Sequence, residues 1–68
     1  MKIENKLKKL RKKEDLTQAD LAKELDVSRQ TVNAIETGKY DPSLELALKT
    51  AEFFEAQVEE IFELGREE

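Results

Sequence analysis

Arg29, Gln30 and Asn33 stand close together in the chain and carry the planar hydrogen-bonding heads that match the edges of nucleic-acid bases. A guanidinium can bond guanine O6 and N7 together, and a carboxamide can do the same with adenine N6 and N7. Ala34, next to Asn33, could meet a thymine methyl. The same residues also suit a plain solvated helix surface, and Arg29 and Asn33 taken alone read that way more readily. A second group, Glu59, Glu60 and Glu63, puts two carboxylates four residues apart on one helix face, the layout of an acid–base pair or a metal site. The supporting groups for such chemistry are missing. There is no histidine or cysteine, no glycine-rich phosphate loop, and too little chain to enclose an apolar pocket. The acidic run is therefore read as a solvated face, with no catalytic residue, metal ligand or cofactor expected and no enzyme activity.

Composition limits what can hold such residues in place. At 68 residues, against roughly 100 to 200 per typical domain, the chain is one small domain. A core this thin lies near the lower limit of independent stability and gains from a partner subunit. The net charge of -4 argues at first against a polyanionic partner, but it is unevenly spread. Residues 1–13 carry seven cations and only Glu4 against them, whereas residues 41–68 carry nine acids against Lys49 and Arg66. A basic start and an acidic end allow one face to meet nucleic acid while the other turns away. No apolar run is long enough to span a bilayer. The lysine-rich start lacks the apolar stretch of a signal peptide and the Trp or Phe of a membrane-surface helix. A cytoplasmic protein without a membrane partner is expected.

Periodicity and capping signals lay out the elements. Ile3, Leu7 and Leu10 repeat at helical spacing, which predicts a first helix running to about Lys13. Thr17 and Asp20 form a capping box, with Leu16 and Leu21 at staple positions, so a second helix starts at Gln18. Ser28 caps a third helix from Arg29, and Thr37-Gly38 ends it, Gly38 suiting the left-handed position. After the Tyr40-Asp41-Pro42 turn, Ser43 caps a fourth helix whose Leu44, Ala47, Leu48, Ala51 and Phe54 recur at helical spacing. A short fifth helix carries Val58, Ile61 and Phe62 and is closed by Gly65, beyond which Arg66-Glu67-Glu68 frays. No strand alternation is evident. The fold class is all-α: a compact bundle of about five short helices.

Two short capped helices joined by three residues describe a helix-turn-helix, whose second helix can enter the major groove, although the same corner occurs in small α-domains that bind no DNA. The segment LTQADLAKELDVSRQTVNAIE, Leu16 to Glu36, followed by TGKYDPSLELALKTAEFF, resembles the Cro and phage-repressor (XRE) type of helix-turn-helix over nearly the whole chain. The resemblance implies a five-helix, lambda-repressor-like DNA-binding domain over residues 1–68, with the helix-turn-helix at 17–37. It also implies homodimers on palindromic operators of double-stranded DNA, and transcriptional control, with repression the expected sense. Two positions depart from the family pattern. Asp26 replaces the common turn glycine, Asp being the tolerable second choice where φ is positive. Gln57 stands where many relatives have a Ser or Thr cap.

Under this resemblance Arg29, Gln30, Asn33 and Ala34 become the base-reading residues. Gln18, with Thr17 and Ser28 at the helix starts and Thr37, Lys39 and Tyr40 after the third helix, would bind backbone phosphates. Arg11 and Glu36 occupy the places of a family ion pair; periodicity alone leaves them equally free to reach solvent. A dimer contact is expected within residues 41–65, in the loop before helix 4 and around Val58, Ile61 and Phe62. The competing reading is a protein-interaction module, such as an antitoxin or a scaffold whose acidic helix 4 and 5 surface binds a basic partner. Loss of DNA affinity with rising salt separates the two.

Overall fold

A computed structural model describes residues 2–65; the Arg66-Glu67-Glu68 tail lies outside the described residues. Its elements run β1 (Lys2–Asn5), α1 (Leu7–Lys13), α2 (Gln18–Leu25), α3 (Arg29–Glu36), α4 (Leu44–Phe54), α5 (Val58–Ile61) and β2 (Phe62–Gly65). Side-chain caps set the starts of α2, α3 and α4. Thr17 Oγ1 accepts from the Asp20 N–H at 3.0 Å while Asp20 Oδ2 accepts from the Thr17 N–H at 3.0 Å. Ser28 Oγ accepts from the Thr31 N–H, and Ser43 Oγ from the Leu46 N–H. These bonds satisfy N–H groups that a helix start otherwise leaves without partners. The α2 helix stops at Asp26, which takes φ 59°, and α3 gives way to Gly38 at φ 78°. Asp15 and Glu55 adopt the same left-handed conformation after α1 and α4, where nothing in the sequence marks a turn of that kind.

The core gathers Leu7 from α1, Leu21, Ala22 and Leu25 from α2, Val32 and Ile35 from α3, Leu46, Ala47 and Ala51 from α4, and Ile61 and Phe62 from the C-terminal segment. The α2 helix packs on α3 and α4, and α1 lies against α3. Thr50 is also buried, and its hydroxyl donates to the Leu46 carbonyl at 2.7 Å, so no polar atom is left without a partner there.

Three expectations need correction. The first helix does not include Ile3. Residues Lys2–Asn5 form a strand paired antiparallel with β2, Ile3 opposite Leu64 and Asn5 opposite Phe62. The fold is thus five helices plus a two-stranded sheet. Asn5 Oδ1 accepts from the Leu7 N–H and ends the helix on that side. Phe62 and Gly65 likewise leave α5 after Ile61 and join β2, so Gly65 does not close a helix but pairs with Lys2. The apolar stripe of α4 is also rotated. Leu46, Ala47, Thr50 and Ala51 are buried, whereas Leu44 and Leu48 are 74% and 55% exposed. Two apolar stripes run along this helix, and the packing of α2 and α5 selects one of them.

Candidate nucleic-acid interface

The α2–turn–α3 corner brings four polar side chains to one groove. Gln18, at the first turn of α2, and Arg29, Gln30 and Asn33, on the first turns of α3, line a shared open groove of about 570 Å3. All three α3 residues are exposed. Ala34 is half-buried beside them and is not part of that groove lining. A helix presented this way offers one guanidinium and two carboxamides to a flat array of acceptors and donors, as major-groove base edges are.

The frame behind the groove is an ion-pair network. Arg11 Nε donates to Glu36 Oε2 at 2.6 Å and Nη2 to Oε1 at 3.1 Å, while Nη1 donates to the Leu16 carbonyl at 2.8 Å. Gln18 Nε2 completes the set with a bond to Glu36 Oε1 at 3.1 Å. The Arg11 and Glu36 side chains are only 9% and 2% exposed. Burial by itself would push the Glu36 carboxyl up, but the hydrogen bonds from Arg11 and Gln18 and the charges of Arg11 and Lys8 outweigh it and hold it below the usual carboxylate range. The bond to Glu36, opposed by burial, raises the Arg11 guanidinium further above its already high value. The Glu36 carboxylate therefore fastens α1 and the start of α2 to the end of α3, and Arg11 adds the α1–α2 loop. Both side chains lie inward.

The expected phosphate-binding residues differ in what they still have to give. Gln18 uses one amide N–H on Glu36 and keeps the other, together with its carbonyl oxygen. Thr17 Oγ1 accepts from the Asp20 N–H, and its hydroxyl also helps to hold the Asp20 carboxylate ionised. Ser28 Oγ shares a proton with Thr31 Oγ1 at 2.9 Å. The Thr37 hydroxyl donates to the Asn33 and Ala34 carbonyls at 2.9 and 3.3 Å, so its proton serves the end of α3. Lys39 is exposed. Tyr40, 47% exposed, faces a different depression, shared with Thr31, Ser43 and Lys49. The surplus apolar surface expected of Val58, Ile61 and Phe62 is absent at two of them: Ile61 is 1% and Phe62 8% exposed, both packed in the chain's own core. Val58 is half-buried.

Asn5 is the structural residue that helical periodicity conceals. Its Nδ2 donates to the Ile35 carbonyl at 2.9 Å while its Oδ1 accepts from the Leu7 N–H at the start of α1, so it pins the end of the third helix to the sheet. An Asn whose side chain can bond the backbone two residues on is an available turn signal; counting Ile3 as helical hides it.

Among the described residues no group of three or more carboxylates could hold a metal ion, and no helix is long and apolar enough to cross a membrane. Residues 7–61 match the helix-turn-helix family model. The chain is 62% identical, over 60 residues, to an uncharacterized HTH-type transcriptional regulator of Methanocaldococcus jannaschii, covering 88% of this chain and 91% of that one. It is 45% identical, over 65 residues, to the HTH-type transcriptional regulator YgzD of Bacillus subtilis, also uncharacterized, covering 96% and 98%. A crystal structure of a candidate DNA-binding protein from Bacteroides fragilis superposes with a TM-score of 0.79 over 90% of this chain and 98% of that one, at 23% identity, a likeness of fold alone. With its capped helix-turn-helix, its inward Arg11–Glu36 pair and a family match over most of its length, the chain belongs to the helix-turn-helix family of Cro and phage-repressor type.

Proposed function

We propose that the protein is a transcriptional repressor that binds double-stranded DNA sequence-specifically in the cytoplasm, as a homodimer on an inverted-repeat operator, and has no enzyme activity. The observation that carries this reading is the side-by-side exposure of Arg29, Gln30 and Asn33 with Gln18 in one open groove, on a helix whose far end is tied down through Glu36. Arg29 and Gln30 read bases, with Asn33 and Ala34 further along the helix. Gln18, Thr17, Ser28, Lys39 and Tyr40 hold the backbone. The HTH-type transcriptional regulators to which the chain is similar support the regulatory role. Symmetric half-sites lie about 34 Å, or roughly 10 base pairs, apart. Leu44 and Leu48 on α4 and Leu64 on β2, all within residues 41–65 and exposed, favour a contact with a second copy there, joined by Val58.

Selection from randomised duplexes with the purified protein tests the reading. An inverted repeat is expected, and Arg29→Ala is expected to weaken specific binding by about 1–3 kcal/mol and relax preference at one or two positions per half-site. Unchanged affinity and base preference in Arg29→Ala overturn the assignment of the recognition helix.

The protein-interaction reading is favoured by one feature, a groove lined by Ile3, Val58, Phe62 and Leu64 with Glu59 and Glu63 at its rim, which suits a basic apolar partner. A protein serving only that purpose shows no salt-dependent DNA affinity.

A further inference from the structure

The helix-turn-helix is poor in the charge that DNA affinity requires. Between Thr17 and Thr37 it carries four carboxylates, Asp20, Glu24, Asp26 and Glu36, against Lys23 and Arg29. Non-specific attraction to the phosphate backbone comes almost entirely from Lys and Arg that displace counterions, so a motif with this balance needs cations from outside itself. The chain's cations are concentrated in α1 and the strand before it, and the α1 lysines are not equivalent. Lys12 lines an open groove of about 710 Å3 together with Arg11, Asp15, Leu16, Thr17, Gln18, Ala19 and Arg29. That groove shares Gln18 and Arg29 with the one in front of the recognition helix. Lys8, one turn earlier on the same ridge, helps to hold the Glu36 carboxyl ionised. Lys9 and Lys13 are turned about 100° further round the helix. Lys6 sits in a separate depression among Glu4, Glu59, Glu60 and Glu63, which offset its charge.

We infer that Lys12 is a phosphate-binding residue of the DNA interface, gripping the backbone where it passes the start of α2 beside Gln18 and Arg29. This rests on the DNA-binding reading above and extends it outside the helix-turn-helix. The Lys12 ammonium has no hydrogen-bond or ion-pair partner among the described residues, and the residue is exposed, so the ammonium is available. Asp15, the one carboxylate in the groove lining, opposes it and sets a second, opposite expectation. The competing role for Lys12 is structural, a cation in the last turn of α1 favoured by the helix dipole.

The test is the salt dependence of binding to the selected operator duplex and to an unrelated duplex, for the parent protein and for Lys12→Gln, Lys9→Gln, Lys13→Gln and Asp15→Asn. Loss of one phosphate contact reduces the slope of log K against log salt by about 0.9 for each protomer bound, which is roughly an eightfold weaker affinity per protomer at 0.1 M salt if the curves meet at 1 M. Lys12→Gln is expected to show this on both duplexes with base preference unchanged, while Lys9→Gln and Lys13→Gln leave the slope as it was. Asp15→Asn keeps a residue that tolerates the left-handed backbone and is expected to bind both duplexes more tightly. If Lys12→Gln only lowers Tm and keeps the parent slope, or if all three lysine variants lose slope equally, the assignment is overturned while DNA binding stands. If the parent shows no salt-dependent binding to any duplex, the DNA-binding reading itself fails and takes Lys12 with it.

Discussion

Replacing Glu36 with alanine should remove a large share of the stability of this protein, although Glu36 contributes no apolar surface to its core. The carboxylate is 2% exposed and accepts bonds at 2.6 and 3.1 Å from an arginine whose side chain is itself 9% exposed, plus one at 3.1 Å from Gln18. Truncation leaves the Arg11 guanidinium with the Leu16 carbonyl as its remaining partner and frees the Gln18 amide. Leaving one member of a buried pair uncompensated costs about 3–5 kcal/mol. Domains of this size are held by about 0.05–0.15 kcal/mol per residue, roughly 3–10 kcal/mol for this chain, so the loss is between about a third of the total and all of it. At about 4–8 °C of Tm per kcal/mol for domains of 60–100 residues, the fall in Tm is about 12 °C at the least. The control lies on the surface of the same molecule. Lys49 and Glu45 approach to 3.4 Å, but their side chains are 48% and 79% exposed, and a pair of that kind contributes about 0–1 kcal/mol. Urea and thermal unfolding followed by circular dichroism, for Glu36→Ala, Arg11→Ala, Lys49→Ala and the double variant Arg11→Met with Glu36→Leu, measure the difference. The double variant should recover much of the stability, because apolar groups of similar volume commonly replace a buried pair without loss. If Glu36→Ala unfolds within two or three degrees of Lys49→Ala, the network does not carry the stability assigned to it.

The same carboxylate makes stability depend on pH. Its folded pKa is depressed, so its contribution is complete above the unfolded value of about 4.3 and is lost as pH falls through the lower folded value. Asp20, lowered by the bonds from the Thr17 backbone and hydroxyl, acts in the same direction, and unfolding free energy measured from pH 7 downward should drop on the acid side of pH 5, less steeply in Glu36→Gln. Asn5→Ala should cost about 1–3 kcal/mol, since it leaves the Leu7 N–H without its acceptor and the Ile35 carbonyl without its donor. Asn5→Asp keeps the acceptor for Leu7 but loses the donor, so a urea midpoint between those of the parent and Asn5→Ala, with an unchanged m-value, is the expected result.

Whatever depends on residues near one another in the chain is legible in the amino-acid sequence alone. The capping box at Thr17 and Asp20, the Ser28 and Ser43 caps, the left-handed Asp26 and Gly38 and the three-residue turn are local events, decided by side chains bonding backbone within three or four positions. They set α2 and α3, and with them the relation between Gln18 and the Arg29, Gln30 and Asn33 surface. Tertiary packing decides the rest. Ile3, Leu7 and Leu10 fit a helix by spacing, yet Ile3 pairs with Leu64 from the other end of the chain, and no period in a short window reports a partner strand that far away. Ile61 and Phe62 read as surplus apolar surface because the sequence does not say how much core the sheet and α4 leave open; the fold buries both and leaves Leu44 and Leu48 outside. The Arg11–Glu36 pair falls between these cases. Periodicity leaves Glu36 as free to reach solvent as to turn inward, and only the approach of α1 to α3 supplies the cation that lets a carboxylate remain buried there.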